Sequence, residues 1–372
     1  MTVSRYLAHS PYMEWAKLYS AAKYTLSASG VAPYPLAELG VGAEQLEING
    51  PDAYGYTPLT TAIAERYGVP SDCVFTTSGT SLANHLALAA LTDPGDEVLI
   101  EQPTYELLLS TARYLGLRVN RFQRPMSREF QPDFTDLGRQ LSKDTKLVVL
   151  TNLHNPSGAL LTNETLKQAG DLARRVGAPV LVDEVYLETL FDERPMTAFR
   201  LDPARFLVTN SLTKAYGLSG IRCGWVLAAP EIVHRMWRIN DLYAATSVFP
   251  AEQLSVIALQ KLGQVAARAK KLLDINRRCL REFLQSRSDL ETFFPEYGTI
   301  AFPRLKRGNI DQLCKLLREQ FDTAVVPGKF FECPDHFRIG VGGEVEVIRT
   351  ALEQLGRGVD AYSASIGARE GS

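Results

Sequence analysis

Three polar residues, each just past a short apolar run, would bring an amide, a carboxylate and an amine together. Asn155 follows the run 147–151, Asp183 ends the run 180–182, and Lys214 follows the run 206–209. Lys214 stands in Ser211-Leu-Thr-Lys-Ala-Tyr-Gly-Leu-Ser-Gly-Ile-Arg-Cys-Gly-Trp, with Arg222 eight positions on. Desolvation and a neighbouring cation both depress an amine pKa and make the amine a nucleophile toward an aldehyde. The same segment also suits a surface lysine in a glycine-rich loop. Asp183, in Val180-Leu-Val-Asp-Glu-Val-Tyr, suits a cation holder for a metal, a protonated ring nitrogen or an arginine. It suits a strand-end cap or an internal salt bridge as well. Tyr186, three positions on, can donate a phenolic hydrogen bond.

A second group of residues suits an anion. Ser78-Gly79-Thr80-Ser81 follows the run 74–77 and opens a helical pattern through Leu82 and Leu86. A strand, a turn of small residues and a helix start aim free N–H groups, the helix dipole and hydroxyls one way. The alternative is a plain N-cap by Thr80 or Ser81. The segment is neither G-x-x-x-x-G-K-[ST] nor G-x-G-x-x-G, so it predicts neither a P-loop nor a dinucleotide fingerprint. Tyr105, after the run 98–100, offers a flat ring for stacking or ordinary packing. Arg338 interrupts an apolar strand candidate, where its planar fork would take a carboxylate or phosphate in two places, or an internal acid. The following Gly340-Val-Gly-Gly has the wrong spacing for a nucleotide fold.

The elements that must position these residues are legible as alternating periods. Apolar runs at 74–77, 98–100, 147–151, 180–182, 206–209 and 225–228 are separated by helical patterns such as Leu166, Ala169, Leu172, Ala173 and Val176. Continuous apolar runs fit strands buried on both faces, and their alternation with helices predicts an α/β fold with a mostly parallel sheet between helices. Ligands of such sheets bind past the carboxyl ends of the strands. From about Pro250 the pattern changes to long helices over 251–286. Short strands follow (299–302, 324–326, 336–339), then a closing helix over 344–355, which predicts a smaller α+β domain. A helix is expected over 12–24. The division expected is an N-terminal segment 1–45 packing with the small domain, a large domain 46–249, a small domain 250–356 and a loose tail 357–372.

Composition narrows the partners. The chain has 372 residues, 45% apolar and 22% charged, with a net charge of −2. About 150 residues per domain suggests two domains or one large one. The lack of a basic excess argues against nucleic acid and membrane surfaces. No apolar run reaches the roughly 20 residues of a membrane helix, and the N-terminus does not read as a signal peptide. Five scattered cysteines without C-x-x-C spacing, and five histidines without H-x-x-x-H, argue against a disulfide framework and a metal site and suit the cytoplasm.

In chain order, these motifs resemble the pyridoxal-phosphate enzymes of the aspartate aminotransferase fold (fold type I, class I/II aminotransferases), over essentially the whole chain. The most specific pieces are His154-Asn-Pro-Ser-Gly, Val182-Asp-Glu-Val-Tyr and Ser211-Leu-Thr-Lys with Gly220-Ile-Arg-Cys-Gly. The resemblance implies pyridoxal 5′-phosphate as cofactor and a homodimer acting on an L-amino acid and a 2-oxo acid. It implies that Lys214 forms the internal aldimine and moves the proton between Cα and the cofactor. Asp183 would pair with the ring nitrogen, Asn155 and Tyr186 with the phenolate oxygen, and Tyr105 would stack on the ring. Gly79, Thr80, Ser81, Ser211 and Arg222 would hold the phosphate. Arg338, with Asn155 and the segment at Gly30, would take the substrate carboxylate. Tyr54 and Tyr56 lie near where such folds borrow a tyrosine from the partner. Glu14-Trp15, Ser29-Gly30-Val31 and Ala301-Phe-Pro-Arg resemble the capreomycidine-synthase branch, which cyclises a hydroxylated arginine derivative. A lyase or cyclase is therefore the alternative to transamination. A sensor domain lacks its preceding basic helix-turn-helix here, and a nicotinamide dehydrogenase lacks its glycine fingerprint.

Overall fold

The computed structural model describes residues 8–51, 53–192 and 195–370. The first seven residues of the N-terminal segment and the last two of the expected tail lie outside the described residues.

The N-terminal segment opens with helix α1 (Pro11–Leu18), capped by Ser10, whose side chain accepts from the Met13 N–H. This is shorter than the helix expected over 12–24. Past Tyr19 the chain turns extended, and β1 (Tyr24–Thr25) pairs in parallel with residues 323–324 far down the chain. The segment then crosses both halves of the molecule as a strap. The Leu26 carbonyl accepts from Gly340 N, and Ala32 N donates to the Gly342 carbonyl. Val31 N donates to the Lys214 carbonyl, and Tyr34 N to the Gly217 carbonyl. Short α2 (Leu36–Leu39) packs on the larger core through Leu39, so this stretch joins the two cores.

The chain now builds a seven-stranded sheet. Its elements are α3 (Thr57–Tyr67), β2 (Val74–Ser78), α4 (Thr80–Leu91), β3 (Glu97–Gln102), α5 (Glu106–Tyr114), β4 (Arg118–Gln123), α6 (Phe134–Gln140), β5 (Thr145–Thr151), α7 (Asn163–Arg174), β6 (Val180–Asp183), β7 (Phe206–Ser211), β8 (Cys223–Leu227) and α8 (Pro230–Asn240). Strand order is β2-β8-β7-β6-β5-β3-β4. β8 is antiparallel to both of its neighbours, and the other pairs are parallel. The mostly parallel sheet expected is present, with one reversed strand. β6 is buried at every position, as a strand covered on both faces must be. β4 has no apolar run to announce it: Arg-Val-Asn-Arg-Phe-Gln is an edge strand, largely half-exposed.

Helices α9 (Phe249–Gln260) and α10 (Leu262–Gln285) lead to a second core. Around it lie β9 (Leu290–Glu291), β10 (Ile300–Ala301), β11 (Arg304–Leu305), α11 (Ile310–Phe321), β12 (Thr323–Ala324), β13 (Val326–Pro327), β14 (Phe337–Gly340) and α12 (Val345–Glu370). β10, β14 and β13 form a small antiparallel sheet. The loose tail expected over 357–372 is corrected: α12 continues unbroken to Glu370. Val359 and Tyr362 are buried in the second core. Gly356 and Gly358 look like a stop signal, but a Cβ on Gly358 would lie 2.3 Å from the Leu317 side chain. The glycine there admits a close approach of α12 to α11 rather than ending the helix.

Candidate active site

Strands β2, β3, β5, β6 and β7 end on one edge of the sheet, and the strand register sets Thr151, Asp183 and Thr209 side by side there. Thr151 faces Asp183 across β5 and β6, and Asp183 faces Thr209 across β6 and β7. Beyond this edge, between sheet and strap, lies a cleft of about 850 Å³. Of the expected site residues, Gly30, Thr80, Ser81, Tyr105, Asn155, Asp183, Tyr186, Ser211, Lys214 and Arg222 all line it. Gly79 and Arg338 bound it through their contacts with Arg222 and Asn155. Tyr54 lies elsewhere: it stacks on Trp237 and donates to Asp241 at 2.8 Å.

One end of the cleft is made for an anion. Gly79 precedes α4 at φ +85°, a left-handed conformation that glycine adopts at no steric cost. It makes no side-chain cap, and neither Thr80 nor Ser81 is the N-cap. The Thr80 hydroxyl is buried with no partner, and helix geometry leaves the first N–H groups of α4 without internal acceptors. Arg222 lies over this turn, its Nη2 donating to the Ser78 carbonyl at 3.2 Å. A Cβ on Gly79 would lie 2.2 Å from that nitrogen. The lack of a side chain therefore lets the guanidinium close over the turn, and a phosphate-sized dianion fits the unpartnered donors.

The centre of the cleft carries the carboxylate and the amine. Asp183 Oδ2 accepts from Asn84 Nδ2 at 2.7 Å, and Oδ1 accepts from the Val185 N–H at 3.1 Å. Asn84 Oδ1 in turn accepts from the Thr209 hydroxyl at 2.6 Å, which fixes the orientation of the amide. Burial pushes the Asp183 carboxyl up to about 6, so the site favours a cation beside it. Lys214 Nζ donates to Ser29 Oγ at 2.9 Å. Burial pushes its pKa below the ordinary lysine value; Arg338 and Arg222 push the same way, against Tyr12 and Asp183. The amine expected to be a nucleophile is therefore one held partly desolvated.

The far end holds Arg338, fully buried on β14. Its Nη1 donates to Asn155 Oδ1 at 2.9 Å and its Nη2 to Tyr12 Oη at 2.7 Å, while Nε has no partner. A buried guanidinium with an unpartnered donor has the chemistry to take a carboxylate. Tyr186 is buried near Ser29, and burial raises its phenol pKa, keeping the hydroxyl a donor. His154 also has a burial-depressed pKa and is neutral. The Pro103 carbonyl can only accept, so Nε2 carries the proton toward it and Nδ1 accepts from Ser157.

Three functional side chains escape sequence reasoning. Asn84 had a signal, a polar residue four positions after Thr80 inside an Ala- and Leu-rich helix. Tyr12, in α1, was expected only as part of a helix, and Ser29 only as part of the Ser29-Gly30-Val31 resemblance, so neither carried a signal for its contact in the cleft. The discounted glycines are part of the site too. A Cβ on Gly340 would lie 1.7 Å from the Ala28 carbonyl, and one on Gly342 would lie 2.0 Å from the Gly30 carbonyl. They let the strap pass.

Comparison with known proteins shows the family and the fold. The family model "Aminotransferase class I and II" matches residues 36–355. Capreomycidine synthase of Streptomyces vinaceus is 32% identical, covering 97% of this chain and 94% of that one. Alanine aminotransferase of Mycobacterium tuberculosis is 28% identical, covering 84% and 78%. The crystal structure of a PLP-dependent aminotransferase from Streptococcus suis superposes with a TM-score of 0.88 at 25% identity, covering 95% of this chain and 98% of that one. Among the described residues no group of side chains could hold a metal, and no helix is long and apolar enough to cross a membrane.

Proposed function

The chain belongs to the class I and II aminotransferases, and from that premise we propose that it transfers the amino group of an L-amino acid to a 2-oxo acid. Pyridoxal 5′-phosphate is the cofactor of the family, and the residues present fit it: an anion cradle with an unpartnered Thr80 hydroxyl, and a buried aspartate whose raised pKa calls for a cation. When bound, the cofactor supplies an aldehyde for an amine and a ring that accepts an electron pair from Cα.

The chain's own residues divide the work. Gly79, Thr80, Ser81, Ser211 and Arg222 hold the phosphate. Asp183, steered by Asn84, keeps the proton on the ring nitrogen. Asn155 and Tyr186, which line the cleft, would donate to the ring oxygen, and Tyr105 would pack on the ring. Lys214 would hold the cofactor's aldehyde, and its amine, with its depressed pKa, would move a proton at the substrate Cα. Arg338 binds the amino acid's carboxylate, aided by Asn155 and by the open backbone at Gly30. The observation that carries this reading is the unpartnered Nε of the buried Arg338, whose Nη1 is held by Asn155, a residue lining the same cleft as the Lys214 amine.

A second reading, cyclisation or elimination on the same cofactor, is favoured by one observation. The capreomycidine synthase match extends through the N-terminal segment, over 97% of the chain. Both reactions begin with removal of the Cα proton by Lys214. The test is a panel of amino acids, each given with and without a 2-oxo acid and followed by mass spectrometry. A 2-oxo product that appears only with an acceptor supports transamination. Water or ammonia loss, or a ring-closed product without acceptor, establishes the second reading.

The unit proposed is a homodimer in the cytoplasm. Ile48, Tyr54 and Val248 expose apolar surface along one groove, with Leu242 and Tyr243 exposed nearby, which supports a second copy as the cover. The free state of Cys73, Cys223, Cys279, Cys314 and Cys333 supports a reducing compartment. Sedimentation of the active protein as a monomer would overturn the dimer.

A further inference from the structure

Behind the cleft lies a buried ion pair that no motif announces. Glu101 in β3 and Arg124 just past β4 are both fully buried. Arg124 Nη1 donates to Glu101 Oε2 at 2.5 Å and to the Thr151 carbonyl at 3.0 Å, and its Nε donates to the Phe130 carbonyl at 2.7 Å. Glu101 Oε1 accepts from the Thr151 N–H at 2.8 Å and from the Thr151 hydroxyl at 2.5 Å. The Thr151 oxygen accepts the Asn155 N–H at 3.0 Å. Asn155 Oδ1 is then the acceptor for Arg338 Nη1 at 2.9 Å.

The chemistry of each group makes this chain directional. An ionised carboxylate only accepts, so the single Thr151 proton is committed to Glu101 and its lone pair to Asn155. A buried ion pair returns little net stability after desolvation. What this one does supply is a fixed orientation for the threonine at the end of β5.

We propose that Glu101 is a positioning residue for the carboxylate clamp: through Thr151 it fixes the Asn155 loop, and through Asn155 it aims the guanidinium of Arg338. The inference rests on Arg338 taking the substrate carboxylate. His154, its Nε2 3.9 Å from Glu101 Oε1, also holds this loop through Pro103 and Ser157, so the relay tunes Asn155 rather than folding the loop alone.

The test uses the cofactor-loaded enzyme with two probes: 2-aminoisobutyrate, which lacks a Cα hydrogen, and isopropylamine, the same amine without the carboxylate. Glu101→Gln should weaken 2-aminoisobutyrate about tenfold and leave isopropylamine within twofold. The affinity of the cofactor-free protein for pyridoxal phosphate should also stay within twofold. In an Asn155→Ala background the Glu101→Gln effect should vanish, since the two act in series. Thr151→Val cuts the relay at its middle link with little change of shape and should weaken 2-aminoisobutyrate to a similar degree. That holds even if Glu101→Gln folds poorly. Equal weakening of both amines, or additive effects of Glu101→Gln and Asn155→Ala, would overturn the proposal. If Arg338→Ala leaves 2-aminoisobutyrate unchanged, the carboxylate reading falls and the relay with it. If Arg338→Ala weakens it while neither Glu101→Gln nor Thr151→Val does, the relay alone falls.

Discussion

The Lys214 amine donates to the hydroxyl of Ser29, a residue 185 positions earlier in the chain, at 2.9 Å. The contact is supported on both sides. Val31 N donates to the Lys214 carbonyl at 2.8 Å, and the Ser29 carbonyl accepts from Thr299 Oγ1 at 2.7 Å. The strap thus fixes the backbone and the tip of the reactive lysine together.

Ser29→Ala removes a hydrogen bond to an amine without touching the strap's backbone bonds. Hydrogen bonds to charged groups contribute roughly 1.5–3 kcal/mol, so turnover should fall about 10- to 100-fold. Cofactor attachment should survive, seen as borohydride fixing the cofactor on the Lys214 peptide. Unchanged turnover would show that Ser29 does not steer the amine.

Asp183 makes a pH prediction. Its folded-state pKa, about 6, lies above the ordinary 3.8 because of burial. A raised acid contributes stability that is fully present below the unfolded pKa and lost as pH rises through the folded one. For the cofactor-free protein, the loss between pH 4 and pH 8 is about 2 kcal/mol. Asp183→Asn removes this dependence. The stability difference between variant and wild type should therefore move by that amount in the variant's favour from pH 4 to pH 8, read by denaturant titration. Turnover of the loaded variant should fall at least about 100-fold, because the ring nitrogen loses its anionic partner. A flat difference across this range would show that Asp183 titrates normally.

These two residues also show what a sequence discloses. Asp183 was legible because a parallel strand buried on both faces must be an unbroken apolar run, and its first polar residue falls at the ligand edge. The strands ending near Asn155, Ser78 and Lys214 follow the same logic. The contact of Ser29 with Lys214 was not legible, because a strap held by scattered backbone bonds has no period and its partner lies 185 positions away. Arg338 could be singled out as an arginine in an apolar strand. Glu101 could not, since nothing local tells a buried acid from a surface one in β3. Gly340 and Gly342 were set aside for their spacing, and Gly358 fell in the expected tail; each instead admits the close approach of another segment, which no local pattern announces.

Gly340 offers a direct check of that last point. A Cβ there would overlap the Ala28 carbonyl, which cannot move without breaking the bonds from Gly340 N to Leu26 and from Ala32 N to Gly342. Gly340→Ala should destabilise the protein by several kcal/mol, in the range of other overpacked sites at about 1–3 kcal/mol or beyond. It should also loosen the cofactor, since the strap roofs the cleft. Gly263→Ala is the control: it lies in α10 with nothing within 4 Å of the added carbon, and should be neutral or stabilising by up to about 1 kcal/mol. Equal melting temperatures for the two variants would refute the close-approach argument.

Tyr362 tests the corrected end of the chain. It is 4% exposed, packs in the second core, and its hydroxyl accepts from the Asn309 N–H at 2.7 Å, at the start of α11. The same ring lies within 2.6 Å of where a Gly308 Cβ would stand, so the turn before α11 is shaped around it. Tyr362→Ala should cost about 3–5 kcal/mol, as for other large buried side chains, and Tyr362→Phe about 1 kcal/mol for the hydrogen bond alone. Truncation after Arg357 removes Val359 as well and should destabilise at least as much as Tyr362→Ala. A loose tail would make all three changes silent in a thermal melt. Graded losses in the order Phe, Ala, truncation would show that the last turns of α12 are part of the second core, and hence of the wall that carries Arg338.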